Sequence, residues 1–286
     1  MKQVSLACSC RLFGISRQAV YQSEQRITQR QKELSQIEPL IRQKRMTMPR
    51  LGTRKLYALL KNDFESLGVK IGRDALFNYL RSKNLLIKPQ KNYTRTTDSK
   101  HWLHKHPNLL KGLIPERVEQ VFVSDITYVK SRERTHYLSL ITDAFSRKIM
   151  GYYLSDDLST ENMVSALLMA LKNRKSRLPL IHHSDRGLQY CASAYQKVLK
   201  AYSVQPSMTD GYDCYQNALA ERVNGILKQE FLVEKCNNGT ELEILVKESI
   251  DTYNRLRPHL SLNMKTPNFI HEKTVESNLN GLNKYL

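Results

Sequence analysis

The chain of 286 residues contains no long apolar run. About 18 consecutive apolar residues are the least that reads as a membrane-spanning helix, and no such stretch is present. The N-terminus also lacks the apolar centre of a secretory signal. Both absences predict a soluble, cytoplasmic protein with no membrane partner. Paired cysteines are missing too. Cys8, Cys10, Cys191, Cys214 and Cys236 form an odd, scattered set with no C-x-x-C spacing. That excludes a disulfide framework and a cysteine-type structural zinc site. His101, His104 and His106 crowd together, but no cysteine pair follows them, so the cluster does not read as a metal site. Acid is scarce as well: 27 Asp and Glu stand against 45 Lys and Arg, a net charge of +18.

The imbalance sits at one end. The first 115 residues carry 23 Lys and Arg against 7 Asp and Glu, and the rest carry 22 against 20. Solubility does not require one-sided charge, whereas a polyanion partner does, and nucleic acid is the leading choice. A hydrophobic content of 41% supports a real core behind this basic front.

Residues 6–21 read as a helix, a turn at Gly14, a Ser16 cap and a second short helix. This suits a helix-turn-helix and an ordinary helical hairpin equally. Residues 24–46 read as a connecting helix. Thr53 starts another helix, Gly68 breaks it, and Arg73 to Lys83 forms a third with Leu76, Phe77 and Leu80 on its apolar side. Arg73, Asn78, Arg81 and Lys83 stay polar and suit phosphates or base edges. The reading is a helical DNA-binding region over 1–85, with a helix-turn-helix at 53–84; the alternative is a basic helical bundle. Residues 86–116 form a basic linker punctuated by Pro89, Pro107 and Pro115, with Tyr93 and Trp102 among its lysines.

A core over 117–235 follows, then a helical tail over 236–286. Val121 to Val129 alternates in the manner of a strand, with Val121, Val123, Asp125, Thr127 and Val129 on one face. Further strands are expected at 136–143, 148–154, 179–183 and 204–207, with helices at 160–173 and 193–202. Asp143 lies in the turn Asp143-Ala144-Phe145-Ser146-Arg147 and reads as a turn cap. Pro258 stops a tail helix that begins near Glu241.

Three acids stand out. Asp125 lies inside a strand, where an unpaired charge is costly. Asp185 ends a strand and precedes Gly187. Glu221 lies on a helix whose apolar side carries Leu219, Val223, Ile226 and Leu227. Glu221, Asn224, Gly225 and Lys228 fall on the other side, which predicts an outward Glu221 with Lys228 about 10.5 Å further along the axis. Asp213 is a rival third acid on a loop, and the helix is preferred because it fixes geometry better.

The order Asp125, Asp185, Glu221, with 35 residues between the last two, resembles the catalytic D-D-E set of the retroviral-integrase superfamily. The words Ser124-Asp125-Ile126-Thr127-Tyr128, His183-Ser184-Asp185-Arg186-Gly187 and Gln216-Asn217-Ala218-Leu219-Ala220-Glu221 resemble OrfB-type bacterial insertion-sequence transposases, the insertion-sequence-three family. The likeness covers nearly the whole chain and includes Lys228, where the family has a basic residue, and the tail words Tyr253-Asn254-Arg255-Leu256-Arg257-Pro258-His259. Phe122 stands where relatives often have Trp, and Asp213-Cys214-Tyr215-Gln216 departs from the usual wording before the glutamate.

The resemblance implies an α/β fold: a ribonuclease-H-like mixed five-stranded sheet with helices, preceded by an all-α helix-turn-helix region, with strand 4 parallel to strand 1. It implies a DNA transposase that cuts insertion-sequence ends and joins the freed 3′-OH to target DNA. Two Mg²⁺ ions, with Mn²⁺ as a substitute, would sit on Asp125, Asp185 and Glu221. Lys228 would contact a DNA phosphate. Implied partners are double-stranded DNA, further copies of the chain on that DNA, and the product of an upstream reading frame, in the nucleoid of a bacterial cytoplasm. The other classes weighed are a DNA-binding repressor remnant and a nuclease for RNA–DNA hybrids.

Overall fold

The strand Val121–Lys130 (β1) is the axis of a five-stranded sheet in the computed structural model, which describes residues 5–88, 103–210 and 217–282, with side chains to 274. Its partners are β2 (Thr135–Asp143), β3 (Ile149–Ser155), β4 (Leu180–Ser184) and β5 (Val204–Met208), in the order β3-β2-β1-β4-β5. β2 runs antiparallel to β1, and β3 antiparallel to β2, through short connections. β4 runs parallel to β1, and β5 parallel to β4. The fold is therefore the mixed, ribonuclease-H-like sheet expected, with each strand within a residue or so of its expected bounds.

Among the described residues five helices precede the sheet: α1 (Leu6–Leu12), α2 (Arg17–Ser35), α3 (Glu38–Thr47), α4 (Thr53–Ser66) and α5 (Arg73–Ser82). The chain divides into two compact units, one of residues 1–47 and 51–87, the other of 48–50 and 88–286. In the first unit Ser16 caps α2 by accepting from the Ala19 amide at 3.0 Å. α2 is longer than expected, and the single connecting helix expected over 24–46 is broken near Ile37. Pro39 explains the break, because it has no amide to donate and is tolerated only in the first turn of the helix it enters. Gly68, at φ +71°, ends α4 and turns the chain toward α5. Leu56, Leu60, Phe64, Leu76 and Leu80 are buried there. On α5 Tyr79 is buried rather than polar-facing, and its hydroxyl donates to Glu38 at 3.1 Å.

In the second unit α6 (Thr160–Asn173), α7 (Leu188–Cys191) and α8 (Ser193–Ala201) follow β3 and β4. Phe122, Ile141 and Met150 pack with Met163, Leu167, Tyr195 and Leu199 on one face of the sheet. Val121 and Val123, on the opposite face of β1, pack with Ala220. Gly151 of β3 lets α6 approach closely: a Cβ there would collide with the Ala166 carbonyl oxygen. From Leu103 onward the stretch read as linker lies along this unit. Leu109 donates its amide to the Ser207 hydroxyl at 2.9 Å, and Leu110 and Leu113 pack against the Val121–Val123 face.

Among the described residues the unit continues through α9 (Ala218–Ile226), a π turn over Leu227–Phe231, α10 (Gly239–Arg255), a 3-10 turn over Leu260–Leu262 and α11 (Pro267–Leu282). α11 is bound to the sheet by a buried polar network. Asp143 caps its own turn, accepting from the Ser146 amide at 2.9 Å and from the Glu119 amide at 2.9 Å. His271 reaches the Ser146 hydroxyl at 3.0 Å and the Glu119 carboxylate at 3.2 Å. Burial works against a charged His271, but Asp143 and Glu119 outweigh it and hold its pKa above the ordinary 6.5. The stability this supplies is complete below pH 6.5 and is lost as pH rises through the raised value. The expected result is a melting temperature that falls more steeply on the alkaline side for the natural chain than for His271→Gln. Parallel curves for the two proteins would show that the ring does not titrate in this network.

Candidate active site

Two parallel strands set up the site. Val121, Phe122 and Val123 pair with Ile181, His182 and His183. Continuing that register puts Asp125 opposite Asp185, at the carboxyl end of β4, where parallel strands open into a crevice. The residues around them fix both. Asp185 accepts the Gly187 amide at 2.9 Å, which closes the turn after the strand. Ser124, on the reverse face, donates to the Tyr190 hydroxyl at 3.0 Å, and His182 bonds the Tyr195 hydroxyl at 2.9 Å. Burial keeps His182 uncharged, with its pKa pushed down to about 3.

Asp125 shares its face of β1 with Val123 and Thr127, and α9 covers that face. Burial, and next to it the charge of Asp185, push the Asp125 pKa up to about 7, against the pull of a hydrogen bond from Asn224. Glu221 is exposed, and its pKa is also raised, by burial of the carboxyl and by Asp185. Asp125 and Asp185 are neighbours, and Glu221 lies within their electrostatic reach. Among the described residues no three His, Cys, Asp or Glu side chains converge into a ready-made metal cluster. Asp213 lies outside the described residues, as does His101; His104 and His106 stack edge to face at 4.9 Å.

The side of α9 read as outward is in fact divided. Glu221 is exposed, but Asn224 is 4% exposed and donates to Asp125 at 2.8 Å. Lys228 is half-buried, and its ammonium donates to the Thr127 hydroxyl at 3.2 Å. Asn217 ties the start of the helix to the Ser124 carbonyl at 3.0 Å. A helical wheel sorts side chains by hydropathy and cannot see that β1 offers Asp125 and Thr127 as polar partners. The π turn adds a second cause. From Leu227 the backbone is wound more loosely than an α-helix, so the two-turn spacing from Glu221 to Lys228 no longer describes one straight face. Burial lowers the Lys228 pKa, and Asp125 is the acid that opposes this. Asn224 was missed as a site residue. Its place three residues after Glu221, on the same helical side, is the signal that could have found it.

The donor set suits a hard divalent cation. Two carboxylates crowd each other enough to raise a pKa, and the buried amide oxygens of Asn217 and Asn224 have no hydrogen-bond partner among the described residues. In the first unit Arg73 bonds Asp74 at 2.9 Å, Arg81 bonds Asn78 at 3.0 Å, and Lys83 follows α5; all are exposed.

Profiles of the integrase core domain match residues 115–214 and 202–267. The sheet belongs to an integrase core, and the chain is a polynucleotidyl transferase of the transposase class. It is 34% identical over 270 residues to the insertion element IS600 uncharacterized 31 kDa protein of Shigella sonnei, covering 92% of this chain and 97% of that one. It is 30% identical to the transposase for insertion sequence element IS629 of Shigella sonnei, covering 72% and 68%. With the transposase InsF for insertion sequence IS3fB of Escherichia coli K12 the identity is 27%, covering 90% of each. The chain belongs to the IS3-family transposases of the InsF, or OrfB, type. Among solved structures, the HTLV-2 integrase catalytic core domain in complex with magnesium aligns over 55% of this chain and 98% of that one, at 23% identity and a TM-score of 0.45. Among the described residues no helix is long and apolar enough to cross a membrane.

Proposed function

We propose that this transposase cuts DNA at the ends of its insertion sequence and transfers the freed 3′-OH into target DNA, with Asp125, Asp185 and Glu221 as the catalytic acids. The observation that supports the reading best is the pairing of β1 with β4, which sets a half-buried Asp125 beside Asp185. Two like charges so placed call for a cation between them. The three acids would hold magnesium, as two ions, with manganese as a substitute. When bound, the metal supplies positive charge that activates the attacking oxygen and stabilises the leaving one. The protein's own side chains do the placing. Asn224 orients Asp125, Asn217 fixes the start of α9, and Lys228 lies beside Thr127 where it can meet a phosphate. No side chain serves as a covalent nucleophile.

DNA is held in part by the exposed Arg73, Asn78, Arg81 and Lys83, in the helical region 1–85 that precedes the linker 86–116, the core 117–235 and the tail 236–286. The chain works as an oligomer on DNA, by itself or with the product of an upstream frame. The test uses duplexes carrying the termini that flank the gene, with Mg²⁺, Mn²⁺ or a chelator. Metal-dependent release of 3′-OH ends and their joining to a plasmid is the expected outcome. Cutting that survives chelation, or that prefers RNA–DNA hybrids, overturns the proposal.

Lys228→Ala should weaken DNA engagement about tenfold and, because the Thr127 bond is lost, cost about 1 kcal/mol of stability. Lys228→Arg should keep most activity, since a phosphate contact needs charge more than shape. Thermal unfolding and cleavage against DNA concentration measure both. Normal cleavage at every DNA concentration, with a lower melting temperature, would make Lys228 purely structural.

A further inference from the structure

The tail words Tyr253 to His259 have no part in the reading so far, yet they make some of the most specific contacts in the second unit. The Tyr253 hydroxyl donates to the Arg147 carbonyl at 3.0 Å. Asn254 takes the Ile149 amide at 2.9 Å and gives to the Ile149 carbonyl at 3.0 Å, as a neighbouring strand would. It does so where the pairing of β2 with β3 shifts register. Arg257 is 1% exposed. Its guanidinium forks onto Glu230, with Nε 2.8 Å from one carboxylate oxygen and Nη2 2.7 Å from the other. Nη1 donates to His259 Nε2 at 3.0 Å, and His259 is itself fixed by a backbone bridge to Lys265.

Glu230 belongs to the π turn, two residues after Lys228. A π turn is strained relative to an α-helix and persists where its surroundings hold it. On the β1 side α9 and this turn are tied through Asn217, Asn224 and Lys228. Arg257 is the grip on the far end. A buried, bidentate ion pair adds little net stability but fixes geometry tightly. The geometry points to Arg257 as a positioning residue: by clamping Glu230 it sets the π turn, and through it the placement of Glu221 and Lys228 against Asp125. Tyr253 anchors the other end of the same clamp on the turn before β3 and Asn254 anchors it on the first residue of β3, so the tail words bracket the sheet and the helix together. The inference rests on the roles proposed above for Glu221 and Lys228.

The test compares Arg257→Leu, Arg257→Lys and the pair Arg257→Leu with Glu230→Leu. The single Leu variant takes the bidentate guanidinium away from Glu230 and is expected to melt early. The double variant removes both charges and should melt near the natural chain. With saturating DNA and metal it should still cleave more than about tenfold slower, because misplaced groups lose rate, while its DNA affinity should fall by no more than that of Lys228→Ala. Arg257→Lys, which keeps charge without the fork, should fall between. Amide hydrogen exchange gives a readout that needs no activity: in the double variant it should quicken over 218–232 and stay unchanged in β1 to β3. A double variant that cleaves at the natural rate, or exchange that quickens evenly across the sheet, overturns the positioning role. If the natural chain itself cleaves none of its DNA, the proposed function fails alone, and the exchange pattern still decides whether Arg257 holds the turn.

Discussion

Asp125→Asn, Asp185→Asn and Glu221→Gln should each reduce strand cleavage by a factor on the order of a hundred or more while leaving DNA binding largely intact. Each change removes one negative charge and almost no volume. The effect on stability should run the other way for Asp125. Its pKa is raised to about 7 by burial and by Asp185, so near neutral pH the metal-free protein carries an unfavourable charge there. That penalty is absent at low pH and grows as pH rises toward 7. Asp125→Asn should therefore melt higher than the natural chain without metal. Added Mg²⁺ or Mn²⁺ should raise the melting temperature of the natural chain and leave that of the variant nearly unchanged. Calorimetry with and without metal, beside a cleavage assay, measures both. More than about a tenth of the natural rate in any of the three variants would count against the triad.

Removing residues 1–102 should have the second largest effect. That segment carries 21 Lys and Arg against 7 Asp and Glu. The cut falls at 102 because Leu103, Leu109, Leu110 and Leu113 belong to the packing of the second unit, and a cut at 115 would strip them from it. Each phosphate neutralised contributes a slope of roughly −0.9 to the logarithm of affinity against the logarithm of salt. Losing even four such contacts flattens the slope by about 3.6 and lowers affinity at physiological salt by orders of magnitude. Titrations of labelled duplex at several salt concentrations supply the slope. An unchanged slope in the truncated chain would place the DNA contacts in the core.

Much of the sheet was legible because its signals are local. Val121 to Val129 alternates, Gly187 follows Asp185 as a turn demands, and Pro258 ends a helix; each can be read within a few residues. The parallel pairing of β1 with β4 came from resemblance, since nothing local encodes which strand lies beside which. What escaped the sequence depends on partners far away. Glu119 reads as one acid among many, yet it is fully buried because His271 meets it from the last helix. Asn224 and Lys228 read as solvent-facing because their partners, Asp125 and Thr127, lie about a hundred residues upstream. The π turn has no hydropathy signature, because it changes the winding of the backbone and not the composition.

The order of strands also sets when the candidate site can assemble. β1, β2 and β3 are consecutive and close through short connections, so they can pair as soon as they leave the ribosome. The join of β1 to β4 must close the whole stretch from Val123 to His183, and α9 arrives later still. The strand that carries Asp125 can therefore pair with β2 and β3 before Asp185 and Glu221 are made. The like charges that crowd the finished site are absent from the growing chain. The proposed acids therefore come together only once β4 and α9 have joined β1, and a chain stopped before β4 lacks Asp185 and Glu221.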